Sequence, residues 1–276
     1  MDLIKPSKNS IKEDMYLQVL AILRRAWHAH AIFWAHNETG KSSLRSCVVL
    51  TPHPDDETIG MGATIARKVG TGSRVKIAVA TDGRYSQSEE VIGQTDLIAL
   101  RKKEFIQAIT ILGLNESDVI FLDEEDSKIN VPNLKSKFEG YLDSLDFIPD
   151  ELMTTSWYDG HVDHQMCAKV VKEIENSRKI TARYCPIYWW AMGPSRFHRE
   201  KHSFVNRQLG KFLDLKHAFL ERGWTVEVQG YESVKLKALS SYQSQITQQD
   251  DNPNWDVLDK EWLETFDRKR EYFIKI

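Results

Sequence analysis

From residue 45 onward the chain alternates short apolar runs with longer segments whose apolar residues recur at helical spacing. Ser46 to Leu50, Arg74 to Thr81 (with Val75, Ile77 and Val79 alternating), Val119 to Leu122, Glu151 to Thr155 and Arg183 to Trp190 read as strands. Thr58 to Val69, Leu97 to Leu112, Leu134 to Leu145 and Asp163 to Ile174 read as helices. Gly70-Thr71-Gly72 supplies a turn, and Gly113 suits the residue that follows a helix C-terminus. Strands and helices in strict alternation predict an α/β fold with a mostly parallel sheet flanked by helices. After residue 195 the pattern loosens. Phe204 to Leu220 and Tyr231 to Tyr242 look helical, Trp224 to Val228 strand-like, and Trp262 to Phe273 reads as a charged surface helix. There is no internal repeat and no low-complexity tract.

The N-terminal stretch is different. Met15, Val19, Ile22, Leu23, Ala26, Ile32 and Phe33 recur near helical spacing from Ser10 to about Ala35, before Asn37-Glu38-Thr39-Gly40 breaks the pattern. The expected division is an N-terminal helical extension over 1–44, most simply a cover for the core, and one domain over 45–276. His28, His30 and His36 fall in the extension and are read as solvated or capping side chains rather than metal ligands.

Composition narrows the function classes. The chain has 276 residues and 41% hydrophobic content, enough for one well-buried core. Its net charge of -3 comes from interspersed acids and bases, so no basic track suggests nucleic acid as a partner. Lys5, Lys8 and Lys12 precede Leu17 to Leu23 in the manner of a secretory signal. However, Glu13, Asp14 and Arg24-Arg25 interrupt that pattern, and no run approaches the roughly 20 apolar residues needed to span a bilayer. Cys47, Cys167 and Cys185 form no C-x-x-C pair and fall in apolar or helical runs, which suits buried thiols in a reducing compartment. A soluble, cytoplasmic protein is the expectation, with a homo-oligomer compatible.

The chemistry concentrates in two polar clusters at the exits of strands. Thr51-Pro52-His53-Pro54-Asp55-Asp56-Glu57 follows the apolar run Cys47 to Leu50, and Gly160-His161-Val162-Asp163-His164 lies between a strand and a helix much further along. Ligands in open α/β sheets bind outside the carboxyl ends of the strands, so the fold itself brings such clusters together. His53 and Asp56 are close enough in a turn to hold one ion, and His164, opening the next helix, is the natural third ligand. Three protein ligands and an open position are what a catalytic zinc requires. Asp55, between the first two, points elsewhere and is placed to take a proton from water; His161 remains a donor or acid. Alone, Asp55, Asp56 and Glu57 would be read as acids favoured near a helix N-terminus; the second cluster overrides that reading. Two histidines and one carboxylate also form the facial triad of non-haem iron oxygenases, the rival assignment, and a non-catalytic sugar-binding module is a third. Gly60-Met61-Gly62 is an incomplete dinucleotide fingerprint with Ile65 where the last glycine belongs. Trp189, Trp190 and Arg196 suggest a sugar-stacking wall or, more simply, core packing.

Pro52-His53-Pro54-Asp55-Asp56-Glu57 together with His161-Val162-Asp163-His164 resembles the signature of the PIG-L/LmbE-like zinc-dependent N-deacetylases. The likeness runs over about residues 46 to 245 and takes in Gly60, Gly62, Thr81-Asp82-Gly83, Arg101-x-x-Glu104 and Tyr242-x-Ser244-Gln245. The resemblance implies a Rossmann-like fold and removal of an N-acetyl or other N-acyl group from a small-molecule or glycolipid amino sugar by zinc-activated water. It implies Zn2+ (with Fe2+ as the alternative) on His53, Asp56 and His164, and Asp55 as general base. It further implies His161 at the oxyanion with Asp163 tuning its charge, and Arg101 in contact with substrate. The pattern departs from many relatives at Pro52, where they have alanine, and at Asp159, where they have tyrosine two positions before the histidine.

Overall fold

The computed structural model describes residues 8–192, 223–248 and 254–274. The helix expected over 204–220 and the residue Arg196 lie outside them. Five strands form the central sheet: β2 (Cys47–Thr51), β3 (Val75–Thr81), β4 (Val119–Glu124), β5 (Glu151–Thr155) and β6 (Thr181–Cys185). They are ordered β4-β3-β2-β5-β6 with every neighbouring pair parallel. The order reverses between β2 and β5, and that switch point is where the loops after two adjacent strands diverge and leave a crevice.

The helices α3 (Asp56–Gly70), α4 (Gln94–Ile111), α5 (Val131–Ser144) and α6 (Val162–Arg178) join these strands. Alternation along β2 decides which side each residue faces. Val48 and Leu50 pack with Phe138 of α5 and Val170, Val171 and Ile174 of α6. Cys47 and Val49 pack with Met61 and Ile65 of α3 and Phe105 and Ile109 of α4. All of these are fully buried, each apolar side chain contributing roughly 1.5–3 kcal/mol when removed from water. The three cysteines are buried and unpaired, as expected. Gly60 of α3 packs against β6: a Cβ there would lie 2.8 Å from Cys185 Sγ.

The N-terminal segment is tied into this body. Trp27 and Ala31 of α1 (Lys8–Trp34) enter the core face that also holds Trp189 and Trp190. β1 (His36–Asn37) pairs in parallel with β7 (Trp224–Glu227) in a small second sheet. His28 is not solvated. It is 2% exposed, stacks on Trp190, and sits between Trp190 O (2.8 Å from Nε2) and Arg268 Nη2 (2.6 Å from Nδ1). Burial and the neighbouring Arg268 charge lower its pKa to about 3, so the ring is neutral. Trp189 and Trp190 are core residues too, 2% and 3% exposed.

Two boundaries differ from the sequence expectation. The aromatic strand stops at Cys185, because Pro186 has no N–H to continue a ladder, and Tyr188–Met192 coils into the short helix α7. The expected terminal surface helix is reduced to Lys260–Glu264; Arg270–Phe273 is instead β8, antiparallel to β7. Glu271, whose charge suggested solvent, is buried, accepts the N–H groups of Ala63 (3.0 Å) and Thr64 (2.8 Å), and pairs with Lys235 Nζ at 2.7 Å. The remaining helices are α2 (Thr39–Ser43), α8 (Glu232–Leu239), α9 (Gln243–Ile246) and α10 (Lys260–Glu264). No helix among the described residues is long and apolar enough to cross a membrane.

Candidate metal centre

β2 ends at Thr51, and the chain turns sharply through Pro52 to Asp55 before α3 begins. Asp55 stands at the helix N-cap with φ 141° and ψ −33°, a region L residues avoid. Such a conformation costs about 1–3 kcal/mol and persists only where the surroundings enforce it. Here they do. Glu57 accepts the Asp55 N–H (3.1 Å), and Arg101, reaching from α4, donates to Pro54 O (2.8 Å) and Asp55 Oδ2 (3.0 Å). The same guanidinium donates to Gly83 O at 3.1 Å. Gly83 has φ +67°, and a Cβ on it would fall 2.5 Å from Arg101 Nη1, so only glycine admits the arginine.

The second cluster follows β5. His161 caps α6, its Nδ1 accepting the Asp163 N–H at 3.3 Å, and His164 occupies the first turn. The switch point thus sets the two clusters face to face. Ring nitrogens of His53, His161 and His164 lie within 4.8 Å of one another.

Two imidazoles converge on one oxygen of Asp56. His164 Nδ1 is 2.8 Å from Asp159 Oδ2, and its Nε2 is 3.2 Å from Asp56 Oδ2. His53 mirrors this: Nε2 is 3.1 Å from Asp163 Oδ2 and Nδ1 is 3.1 Å from Asp56 Oδ2. Each imidazole is oriented by a carboxylate on one nitrogen and presents the other toward the same Asp56 oxygen, the outer-shell pattern of metal-ligating histidines. With the Nδ1 hydrogen given to Asp159, a neutral His164 would turn its buried Nε2 lone pair toward Asp56 Oδ2, with no hydrogen-bond geometry between the two atoms. A lone pair facing a carboxylate oxygen is repulsive unless a cation lies between them. A proton supplies it in the metal-free protein, and a divalent ion fits the same donor set of two imidazoles and a carboxylate. His161 fits that set less well, because a neutral ring whose Nδ1 accepts a backbone N–H carries its hydrogen on Nε2.

The electrostatics follow from this crowding. Burial works to lower His53, but hydrogen bonds to Asp126, Asp163 and Asp56 outweigh it and hold the ring well above its usual pKa. Burial also opposes the charge on His164, yet Asp56 and Asp159 raise it to about 9. Asp56 is pushed up by burial and pulled down further by His164 and His53, ending well below the usual carboxylate range. Asp55 goes the other way. Burial, then the Asp56 and Glu57 charges, raise it to about 7 against the pull of Arg101 and His53. His161 is lowered to about 4 by burial and by the positive His53 and His164. A neutral ring is therefore favoured at His161.

All seven residues singled out in the sequence meet at this crevice. His53, Asp55, Asp56, Arg101 and His161 line a cavity of about 250 Å³; His164 and Asp163 are fully buried behind it. Asp163 touches His53 rather than His161 with its carboxylate and also accepts the Ser127 N–H at 2.8 Å. Arg101 lines the cavity with its guanidinium already committed to Asp55 and two carbonyls. Sequence reasoning missed Asp159, Asp126 and Glu57. Asp126 follows β4, so the rule that marked the other clusters at strand exits applied to it as well. Asp159 stood in view as the departure from tyrosine. Glu57 is fully buried and accepts Thr58 Oγ1–H at 2.6 Å and the Tyr242 hydroxyl.

Comparison with known proteins agrees with this geometry. The chain is 30% identical over 111 residues to a glucosamine-6-phosphate deaminase-like protein of Bacteroides thetaiotaomicron, covering 40% of this chain and 15% of that protein. It is 27% identical over 131 residues to the diacetylchitobiose deacetylase of Thermococcus kodakarensis, covering 45% of this chain and 46% of that one. The chain therefore spans less than half the length of either curated relative. In structure it is similar to an N,N'-diacetylchitobiose deacetylase from Pyrococcus horikoshii with a TM-score of 0.60 at 18% identity, over 100% of this chain and 94% of that one. At that identity the similarity is one of fold. The family model for PIG-L, GlcNAc-PI de-N-acetylase, matches residues 48–175, the stretch that carries both histidine clusters.

Proposed function

We propose that the protein is a metal-dependent hydrolase that removes an N-acetyl, or other N-acyl, group from an amino-sugar-containing substrate, with zinc as the ion. The observation that carries the reading is the convergence of two carboxylate-oriented imidazoles on one oxygen of Asp56, with a second carboxylate, Asp55, beside them. A bound divalent cation would supply Lewis acidity toward water and the amide carbonyl. His53, Asp56 and His164 would hold it.

The chain's own residues do the rest. Asp55, raised toward neutrality, takes the proton from the attacking water and returns it to the departing amine nitrogen, the two-way transfer for which a carboxylate near pH 7 is suited. As water's oxygen bonds to the carbonyl carbon, charge develops on the carbonyl oxygen, and it is withdrawn again when the carbonyl re-forms and the C–N bond breaks. His161, with Nδ1 fixed by the Asp163 N–H, offers its Nε2–H to that charge without reorganising. Arg101 holds Asp55 by a carboxylate bond and a carbonyl bond, keeping it in its strained conformation. The carboxylate base beside the ion and the neutral donor opposite it have no role in an oxygenase, and a non-catalytic module would need neither.

The test is amine release from simple N-acetylglucosaminides by purified protein, with metal content measured in parallel and with aerobic and anaerobic preparations compared. Release that a chelator abolishes and zinc restores is the expected result. Stoichiometric metal with no amine released from any N-acylated sugar would refute the reading.

A further inference from the structure

Resting on that reading, we infer that the site selects an unphosphorylated N-acyl amino sugar and seats its ring against a wall built by Tyr188 and Trp262. The wall begins at the catalytic cluster. Tyr188 lies over His161 with ring centroids 5.9 Å apart and an interplanar angle of 22°, and it meets His164 edge-on at 5.3 Å. Trp262 continues the row, 5.6 Å from Tyr188. Both rings line the cavity, and Trp262 is partly exposed where core tryptophans such as Trp189 are not. A pyranose presents C–H groups on its faces, and an indole or phenol face is the surface that covers them while its edge hydroxyls stay wet.

The segment carrying Trp262 is held for this purpose. Asp256 makes two backbone bonds to the Gln87 side chain (2.6 and 2.9 Å), Trp255 Nε1 donates to Ser244 O at 2.8 Å, and the Leu258 N–H donates to Gln245 O at 2.7 Å. These contacts pin residues 255–258 across the cavity, and α10 then places Trp262 on its wall. This stretch lies outside the matched residues 48–175, so the segment that defines the family does not supply it.

Charge supplies the second half of the inference. Among the described residues that line the cavity, Arg101 is the one lysine or arginine, against Asp55, Asp56, Asp126 and Asp256. Arg101 is committed to Asp55, Pro54 and Gly83. At the rim, Arg84 is paired with Asp82, and Lys128 with Glu125. Phosphate recognition draws on free arginine or lysine donors, and among the described residues none lines this cavity. A phosphorylated sugar would lose its hydration against carboxylates, whereas a neutral sugar, and the ammonium product formed from it, would not.

The experiment compares amine release from N-acetylglucosamine, N,N'-diacetylchitobiose and N-acetylglucosamine 6-phosphate by the metal-loaded full chain and by Trp262→Ala and Trp262→Phe. The neutral sugars should exceed the phosphate ester by at least about tenfold in kcat/KM. Trp262→Ala should raise KM for them about tenfold with kcat within about threefold and metal content unchanged, and Trp262→Phe should restore most of the loss. Turnover of the phosphate ester equal to that of the neutral sugars, or an unchanged KM in Trp262→Ala, overturns the inference. Calorimetric binding of the amine products glucosamine and glucosamine 6-phosphate to the metal-loaded full chain and to Trp262→Ala tests the charge selection and the wall without turnover. No amine release from any substrate, with the unphosphorylated sugar still preferred and its binding weakened in Trp262→Ala, would refute the deacetylase reading alone, while equal binding of the two sugars would refute the charge selection and unchanged binding in Trp262→Ala would refute the wall.

Discussion

Asp159 is not one of the proposed ligands, yet replacing it should weaken metal affinity. Its Oδ2 receives the Nδ1–H of His164 at 2.8 Å, and its two oxygens accept the Ile187 N–H (3.1 Å each) and the Trp189 N–H (2.9 Å) in a site with no exposure. Asp159→Asn keeps the shape and removes the charge. A hydrogen bond to an ionised group contributes about 1.5–3 kcal/mol and a neutral one about 1, so the amide surrenders about 1–2 kcal/mol of His164 orientation and basicity. At 1.4 kcal/mol per tenfold, metal affinity should fall by about 5- to 30-fold, within the range of about 10–100-fold seen when an outer-shell partner of a metal ligand is removed. Chelator-competition titration of zinc at fixed pH measures it. Circular dichroism checks that α7, which the same carboxylate anchors, remains folded. An unchanged zinc Kd in a folded variant would show that the carboxylate behind His164 contributes nothing to ion binding and would remove the argument for choosing Nε2 as the ligand atom.

Asp55→Ala should retain stoichiometric metal and lose at least about a hundredfold in kcat, the loss expected of a general base; wild-type-like turnover would overturn that role. His164→Ala should instead lose the metal itself, read by elemental analysis after gel filtration. Metal affinity should depend on pH with a definite sign. In the metal-free protein His164 keeps its proton up to about pH 9 and His53 is likewise held well above its usual pKa, so binding must expel protons, and affinity should rise by about tenfold per pH unit per proton between pH 6 and 8. A pH-independent Kd over that range would contradict the assignment. Gly83→Ala places a methyl group 2.5 Å from Arg101 Nη1 at a φ of +67°, so it should destabilise the fold by about 1–3 kcal/mol and lower kcat through Asp55. Thermal melting and kinetics on the same preparation would measure both effects.

Much of the fold was legible because its periodicities are local. Val75, Ile77 and Val79 alternate, and Leu97 to Leu112 keeps its helical spacing; both elements form within a few residues of the expected bounds. The misreadings came where tertiary partners overrode local pattern. Arg270-Glu271-Tyr272-Phe273 looks like a charged helical face until Lys235 and the α3 backbone are seen to take up Glu271. His28 looks solvated until Trp190 covers it.

The sequence by itself determined which residue types were available and roughly where they would sit. Two histidine clusters at strand exits, in a chain that must form a parallel sheet, left one crevice for them to share. Only the tertiary structure decided which nitrogen of each ring faces Asp56. It also decided that Asp163 orients His53, that Asp159 orients His164, and that Arg101 grips Asp55. Those choices depend on side chains far apart in the chain meeting in a low-dielectric crevice, where burial and neighbouring charge set every protonation state. No local pattern records distances across a sheet, so the order of elements could be read from the string of residues and the division of labour among its carboxylates could not.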